Sequence, residues 1–110
     1  MHEGGLAHGL LDEALALAGG RRLTRIVFRV GVLSGLAPES LEMHLEASMA
    51  EHELDGVAIK SHVAPARLKC ACGREFETMK MTDPCPACAS LIGRTILSGR
   101  ECDLEAVEVS

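Results

Sequence analysis

The apolar positions change period along the chain, and each change marks an element. Between Leu6 and Ala18, the residues Ala7, Leu10, Leu11, Ala14 and Ala18 recur at the i, i+3, i+4 spacing of an amphipathic helix, and Gly19-Gly20 ends it. From Thr24 to Leu33 the period shortens to that of a half-buried strand. Ile26, Phe28, Val30 and Val32 share one face, Arg25, Arg29 and Gly31 the other, and Val27 is the exception. Ser34-Gly35-Leu36-Ala37 then reads as a turn, and Pro38 fits the first position of a second helix, where its missing N–H costs nothing. That helix runs to about His52, with Leu41, Leu45, Ser48, Met49 and His52 on one face and His44 beside them.

After the turn at Asp55-Gly56, Val57, Ile59 and Val63 alternate with Ala58, Lys60 and His62 as a second strand. Between about Leu68 and Ser90 the periodicity fails, and four cysteines and two prolines take its place. Leu91 to Leu97 is apolar and extended, and Ser98-Gly99 is a turn. The last stretch holds Cys102 and Leu104 in one register and Val107 and Val109 in the other, which calls for a strand with a bulge near Glu105-Ala106. The expected fold is α+β: two helices on a roughly three-stranded sheet, with a small zinc-binding lobe inserted before the last strand. Residues 1–67 plus 98–110 would form the main domain and residues 68–97 the lobe.

Composition narrows the function. A length of 110 residues fits one domain with a small appendage, and 47% apolar residues are enough to fold. A formal charge of −5 and only two aromatic residues argue against nucleic-acid binding, which needs a basic footprint and stacking platforms. No apolar run approaches the roughly 20 residues that span a bilayer, and Met1-His2-Glu3-Gly4-Gly5 lacks the basic flank of a signal peptide. The expected location is the cytoplasm, where paired cysteines are metal ligands or redox groups more often than disulfides.

Two stretches carry chemistry. Cys85-Pro86-Ala87-Cys88 has the spacing of half a zinc site. Cys70-Ala71-Cys72-Gly73 is tighter, but residues i and i+2 of an extended chain point the same way, about 6.5 Å apart at Cα. Tetrahedral Zn–S bonds of about 2.3 Å put sulfurs roughly 3.8 Å apart, a gap that side-chain rotation can close. Gly73 would allow the tight turn that follows. Four thiolates leave no open position for water, so the zinc would be structural, with a thiol redox pair as the alternative. Cys102 reads as a small buried hydrophobe, His62 as solvated, and His44 and His52 as boundary residues.

The second stretch is Met1-His2-Glu3. The Met1 α-amine, the amide nitrogen of His2 and its imidazole can close fused chelate rings on one ion, and Glu3 adds an amide nitrogen or a carboxylate. Such a nitrogen-rich set suits Ni(II) or Cu(II) better than Zn(II). A terminal histidine is otherwise simply solvated.

These motifs, in this order, resemble the HypA/HybF family of hydrogenase nickel-incorporation proteins over essentially the whole chain. The resemblance rests on Met1-His2-Glu3, on Arg29-Val30-Gly31-Val32-Leu33-Ser34-Gly35 followed by Pro38-Glu39-Ser40-Leu41, on Cys72-Gly73 with Cys85-Pro86-Ala87-Cys88, and on Ser98-Gly99-Arg100-Glu101. It implies a non-enzymatic metallochaperone that transfers Ni(II) from a site on His2, Glu3 and neighbouring backbone nitrogens, with a structural Zn(II) on Cys70, Cys72, Cys85 and Cys88. It also implies work with the GTPase HypB and the hydrogenase large subunit, and in some members urease; a homodimer stays open. Two departures stand out: the first cysteine pair is CxC where the family commonly has CxxC, and Cys102 replaces an aliphatic residue. Glu39 is the nearest acidic residue that could assist the nickel site. The competing function is a zinc-ribbon adaptor indifferent to nickel; a thiol oxidoreductase would need a catalytic constellation that the sequence lacks.

Overall fold

Periodic burial builds the main body. A computed structural model describes residues 3–110, with side chains from Gly4 onward. Helix α1 (Glu3–Ala18) buries Ala7, Leu10, Leu11, Ala14 and Ala18, the expected face. It stops where Gly19 turns to φ +60 and its N–H reaches back to the Leu15 and Ala16 carbonyls, a left-handed cap that suits glycine. Helix α2 (Pro38–Glu51) has no side-chain cap and starts on Pro38, burying Leu41, Leu45, Ser48 and Met49.

Strands β1 (Leu23–Gly31), β2 (Ala58–Ala64) and β6 (Cys102–Val109) form one sheet in the order β2-β1-β6, with β1 parallel to β2 and antiparallel to β6. Parallel pairing needs a crossover, and α2 supplies it. Ile26, Phe28 and Val30 project from β1 into a core shared with α1 and α2. The expected bulge is there: Val27 faces Ala106 and Phe28 faces Leu104, leaving Glu105 as the extra residue. Beyond it the β6 side chains switch register, so both Leu104 and Val107 lie against the core. The other face is polar, with Arg29 held by both carboxylate oxygens of Asp103 at 3.0 and 2.8 Å, and His62 Nε2 at 3.1 Å from Glu105.

A second sheet, in the order β4-β3-β5, is built from β3 (Ala66–Cys70), β4 (Glu75–Thr78) and β5 (Arg94–Ser98). The segment where periodicity fails therefore contains short strands. Ala66, Leu68, Cys70, Phe76 and Cys85 form their own buried cluster, separate from the first. The molecule is elongated as a result, with extents of 52 × 24 × 17 Å.

Four expectations need correction. Strand β1 ends at Gly31, and Val32 and Leu33 pack on the second cluster instead of extending the first. Gly31 is buried rather than solvent-facing, because a Cβ there would lie 2.3 Å from the Gly99 carbonyl oxygen. Val63 is 39% exposed, as β2 runs past the core on which Ile59 packs. Leu91 and Ile92 are exposed and precede β5, which begins only after Gly93 turns the chain at φ +71.

Candidate metal centres

Each half of the cysteine cluster sits in a tight turn. Cys70 ends β3, donates its N–H to the Arg74 carbonyl at 2.8 Å and accepts the Gly73 N–H at 2.9 Å. Gly73 takes φ +96, as its position after Cys72 requires. The second half repeats the pattern: the Cys85 N–H reaches the Ser90 carbonyl at 3.1 Å, and the Cys85 carbonyl accepts the Ala89 N–H at 2.8 Å. Ala89 follows Cys88 and is also left-handed, at φ 61. The one-residue difference in cysteine spacing is absorbed within these loops.

The four sulfurs converge, all within 4.8 Å of one another. Cys70 and Cys88 approach to 3.6 Å, Cys72 and Cys85 to 3.7 Å. Both gaps are close to the roughly 3.8 Å between sulfurs around a tetrahedral zinc, so this group can hold a metal ion, and the CxC pair brings both of its thiols to the same point. Cys70 and Cys85 are buried in the second cluster, while Cys72 and Cys88 face solvent.

Electrostatics favour a bound cation. The Cys85 thiol is brought down to about 6, first by the backbone N–H of Cys88, with burial opposing, then by the Ala87 N–H and the Cys72 and Cys88 thiols. Cys88 receives a lowering N–H from Ser90, but the Cys70 thiol, burial and the Cys72 and Cys85 thiols together push it up to about 11. Cys85 is thus poised to ionise near neutrality while Cys88 resists ionisation. A divalent cation relieves that repulsion by replacing the protons.

Arg94 is the residue that sequence reasoning missed. Its guanidinium donates to the carbonyls of Met81, Asp83 and Ser90, and it lies 5.5 Å from the centroid of the Phe76 ring. One side chain therefore ties the loop carrying Cys85 and Cys88 to β5. Thr78 adds a tie from β4: its hydroxyl donates to the Asp83 carboxylate and accepts the Lys80 N–H at 3.0 Å. The lone charged residue in the mostly apolar stretch Leu91 to Leu97 was the available signal.

The expected nickel ligands Met1, His2 and the Glu3 side chain lie outside the described residues. The backbone of Glu3 already belongs to α1, and the half-buried His44 stands beside its first turn, with Nδ1 3.6 Å from where a Gly4 Cβ would be. Glu39 is exposed in the first turn of α2. His62 is exposed, as expected, but so is His52, because it falls at the end of α2 rather than within it. Cys102 packs against the first core as a hydrophobe would, but it is half-buried rather than buried. Among the described residues, His8, Asp12 and His52 also converge. No helix among them is long and apolar enough to cross a membrane.

An α+β fold of two sheets, with four thiols gathered on one point, defines a protein able to hold a metal at a cysteine knot. Residues 1–109 match the family model described as "Hydrogenase/urease nickel incorporation, metallochaperone, hypA". The hydrogenase maturation factor HypA of Geobacter metallireducens is 34% identical over 110 residues, and that of Solidesulfovibrio magneticus 36% over 116, each alignment covering 99% of both chains. The solution structure of the Ni metallochaperone HypA from Helicobacter pylori superposes with a TM-score of 0.72 at 20% identity, covering 99% of this chain and 97% of that one, a likeness of fold. The chain belongs to the HypA family of nickel-incorporation metallochaperones of hydrogenase maturation, and is not an enzyme. That role implies interaction with other maturation factors.

Proposed function

We propose that this chain carries Ni(II) at its N-terminus, on His2 with the Met1 α-amine, neighbouring backbone nitrogens and Glu3, and delivers it during nickel–iron hydrogenase maturation. The family match from residue 1 to residue 109 carries this reading. Helix α1 begins at Glu3, so a rigid element follows His2 directly in the chain. Zn(II) is the ion we assign to Cys70, Cys72, Cys85 and Cys88, closed on all sides and therefore structural.

The two ions then have opposite fates. Zinc stiffens residues 68–97 as a lobe, distinct from the nickel-binding unit of residues 1–67 and 98–110. Exposed Met79, Met81, Leu91 and Ile92 suit that lobe for docking on a partner. The partners are a HypB-type GTPase and the hydrogenase large subunit, with urease as a second recipient and the cytoplasm as the compartment. Nickel is held by few ligands and leaves by exchange on docking.

Ni(II) titration of zinc-loaded protein with a native, untagged N-terminus tests the assignment. His2→Ala, or one residue added before Met1, abolishes tight nickel binding and leaves zinc content intact. Undiminished nickel affinity in either variant would sink it.

A further inference from the structure

We propose a second, exchangeable site for a divalent transition-metal ion, formed by His8 and Asp12 of α1 and His52 at the end of α2. The three side chains each offer a ligand atom within 4.8 Å of the others. None of the three belongs to the cysteine knot or to the terminal chelate.

The fold brings them together for simple reasons. His8 and Asp12 are four apart on α1, so both stand on one exposed stripe, flanking the face that buries Ala7, Leu11 and Ala14. Helices α1 and α2 pack side by side, which places the C-terminal end of α2 against that stripe. The His8 and His52 rings meet with centroids 5.4 Å apart at a tilt of 47°.

His52 is also held in a ligand's tautomer. Its Nδ1 lies 2.8 Å from the Ser48 carbonyl oxygen, which can only accept, so in the neutral ring Nδ1 carries the proton and Nε2 is the nitrogen left to ligate. Metal-binding histidines are oriented in this way by a carbonyl or carboxylate on the other ring nitrogen. Ser48 is itself buried and backed by the first core, so the orienting carbonyl is rigid.

The donor set selects the ion. Two imidazoles and one carboxylate suit Ni(II), Zn(II), Co(II) or Cu(II) and not the oxygen-seeking Mg(II) or Ca(II). Bonds of about 2.1 Å require ligand atoms roughly 3 Å apart on one octahedral face, so the exposed side chains close by about 1.8 Å at most. Three protein ligands leave the remaining positions to water, and the ion can exchange, unlike one enclosed by four thiolates. Along α1, His8 lies five residues from Glu3, a rise of about 7.5 Å, so the site stands close to the start of the helix.

Ni(II) itself is the probe. In zinc-loaded His2→Ala protein, equilibrium dialysis with metal analysis should find nickel still bound beyond zinc. His8→Gln or His52→Gln should weaken that binding at least about tenfold, and the double variant should remove it. Paramagnetic shifts of the His8 and His52 ring protons should accompany it. The same histidine variants made without His2→Ala should lose only this increment, so the outcome is read independently of the terminal site. Loss of all nickel with His2→Ala alone, or nickel content unchanged in the double variant, overturns the proposal. Because all three side chains are exposed, circular dichroism should show the fold intact.

Discussion

Replacing Gly31 with alanine probes the seam where the two sheets join. At this point β1 gives way to the crossing chain: the Gly31 N–H bonds the Glu101 carbonyl at 2.9 Å, and the Leu33 N–H bonds the Gly99 carbonyl at 2.7 Å. A Cβ on residue 31 would lie 2.3 Å from the Gly99 oxygen and 2.7 Å from that of Glu101. Gly99 cannot simply retreat, because its own α-carbon is pressed on Ala66, where a Cβ would come within 2.8 Å of the Ala66 backbone.

Overpacking of this kind costs about 1–3 kcal/mol, and two backbone hydrogen bonds stretched past usefulness add about 1 kcal/mol each. Alanine returns about 0.4–1 kcal/mol by stiffening the unfolded chain. The balance is a destabilisation of about 3 kcal/mol, worth roughly 10 °C in melting temperature for a chain of this size. With two Phe and no Trp or Tyr, unfolding is best followed by far-ultraviolet circular dichroism in urea, on zinc-loaded protein. Gly5→Ala is the control: nothing lies within 4 Å of its added methyl, so it should stabilise by about 0.5–1 kcal/mol. If Gly31→Ala stays within about 0.5 kcal/mol of the parent while the control behaves as expected, the seam does not depend on this contact.

Two further perturbations test other parts of the structure. Arg94→Met removes the bonds to Met81, Asp83 and Ser90 and the contact with Phe76, and should destabilise the zinc-loaded second sheet by about 2–3 kcal/mol, allowing for water to replace the exposed bonds. It should also speed zinc loss to a chelator, and an unchanged release rate would remove Arg94 from its assigned role. The Glu101 carboxyl is held below its ordinary 4.5 by the backbone N–H of Gly99 first, then by its own and that of Arg100. Its contribution is therefore present above that value and lost as pH falls through the lowered one. Glu101→Gln should be less stable than the parent at neutral pH, the difference closing in acid; a pH-independent difference in urea midpoint would contradict the cause.

The local elements and the cysteine group were legible because each depends on near neighbours. Helix faces follow from Ala7, Leu10, Leu11 and Ala14 or Leu41 and Leu45, the bulge follows from the register change between Leu104 and Val107, and the turn after Cys72 follows from Gly73. The second sheet was not legible, since strands of four or five residues, such as Glu75–Thr78, are too short for alternation to register. What joins distant segments was hidden for the same reason. Gly31 alternates as a polar-face residue, yet it is buried by Gly99, 68 positions along the chain.

The sequence by itself determined two helices, the positions of the main strands along the chain and the identity of the four thiols, because hydrophobic period and ligand spacing are short-range properties. Only the tertiary structure decided that Arg94 braces the knot, that glycines form the seam, and that His52 meets His8 and Asp12. Those meetings depend on how α2 lies across α1 and how one sheet abuts the other, and packing of whole elements sets that geometry.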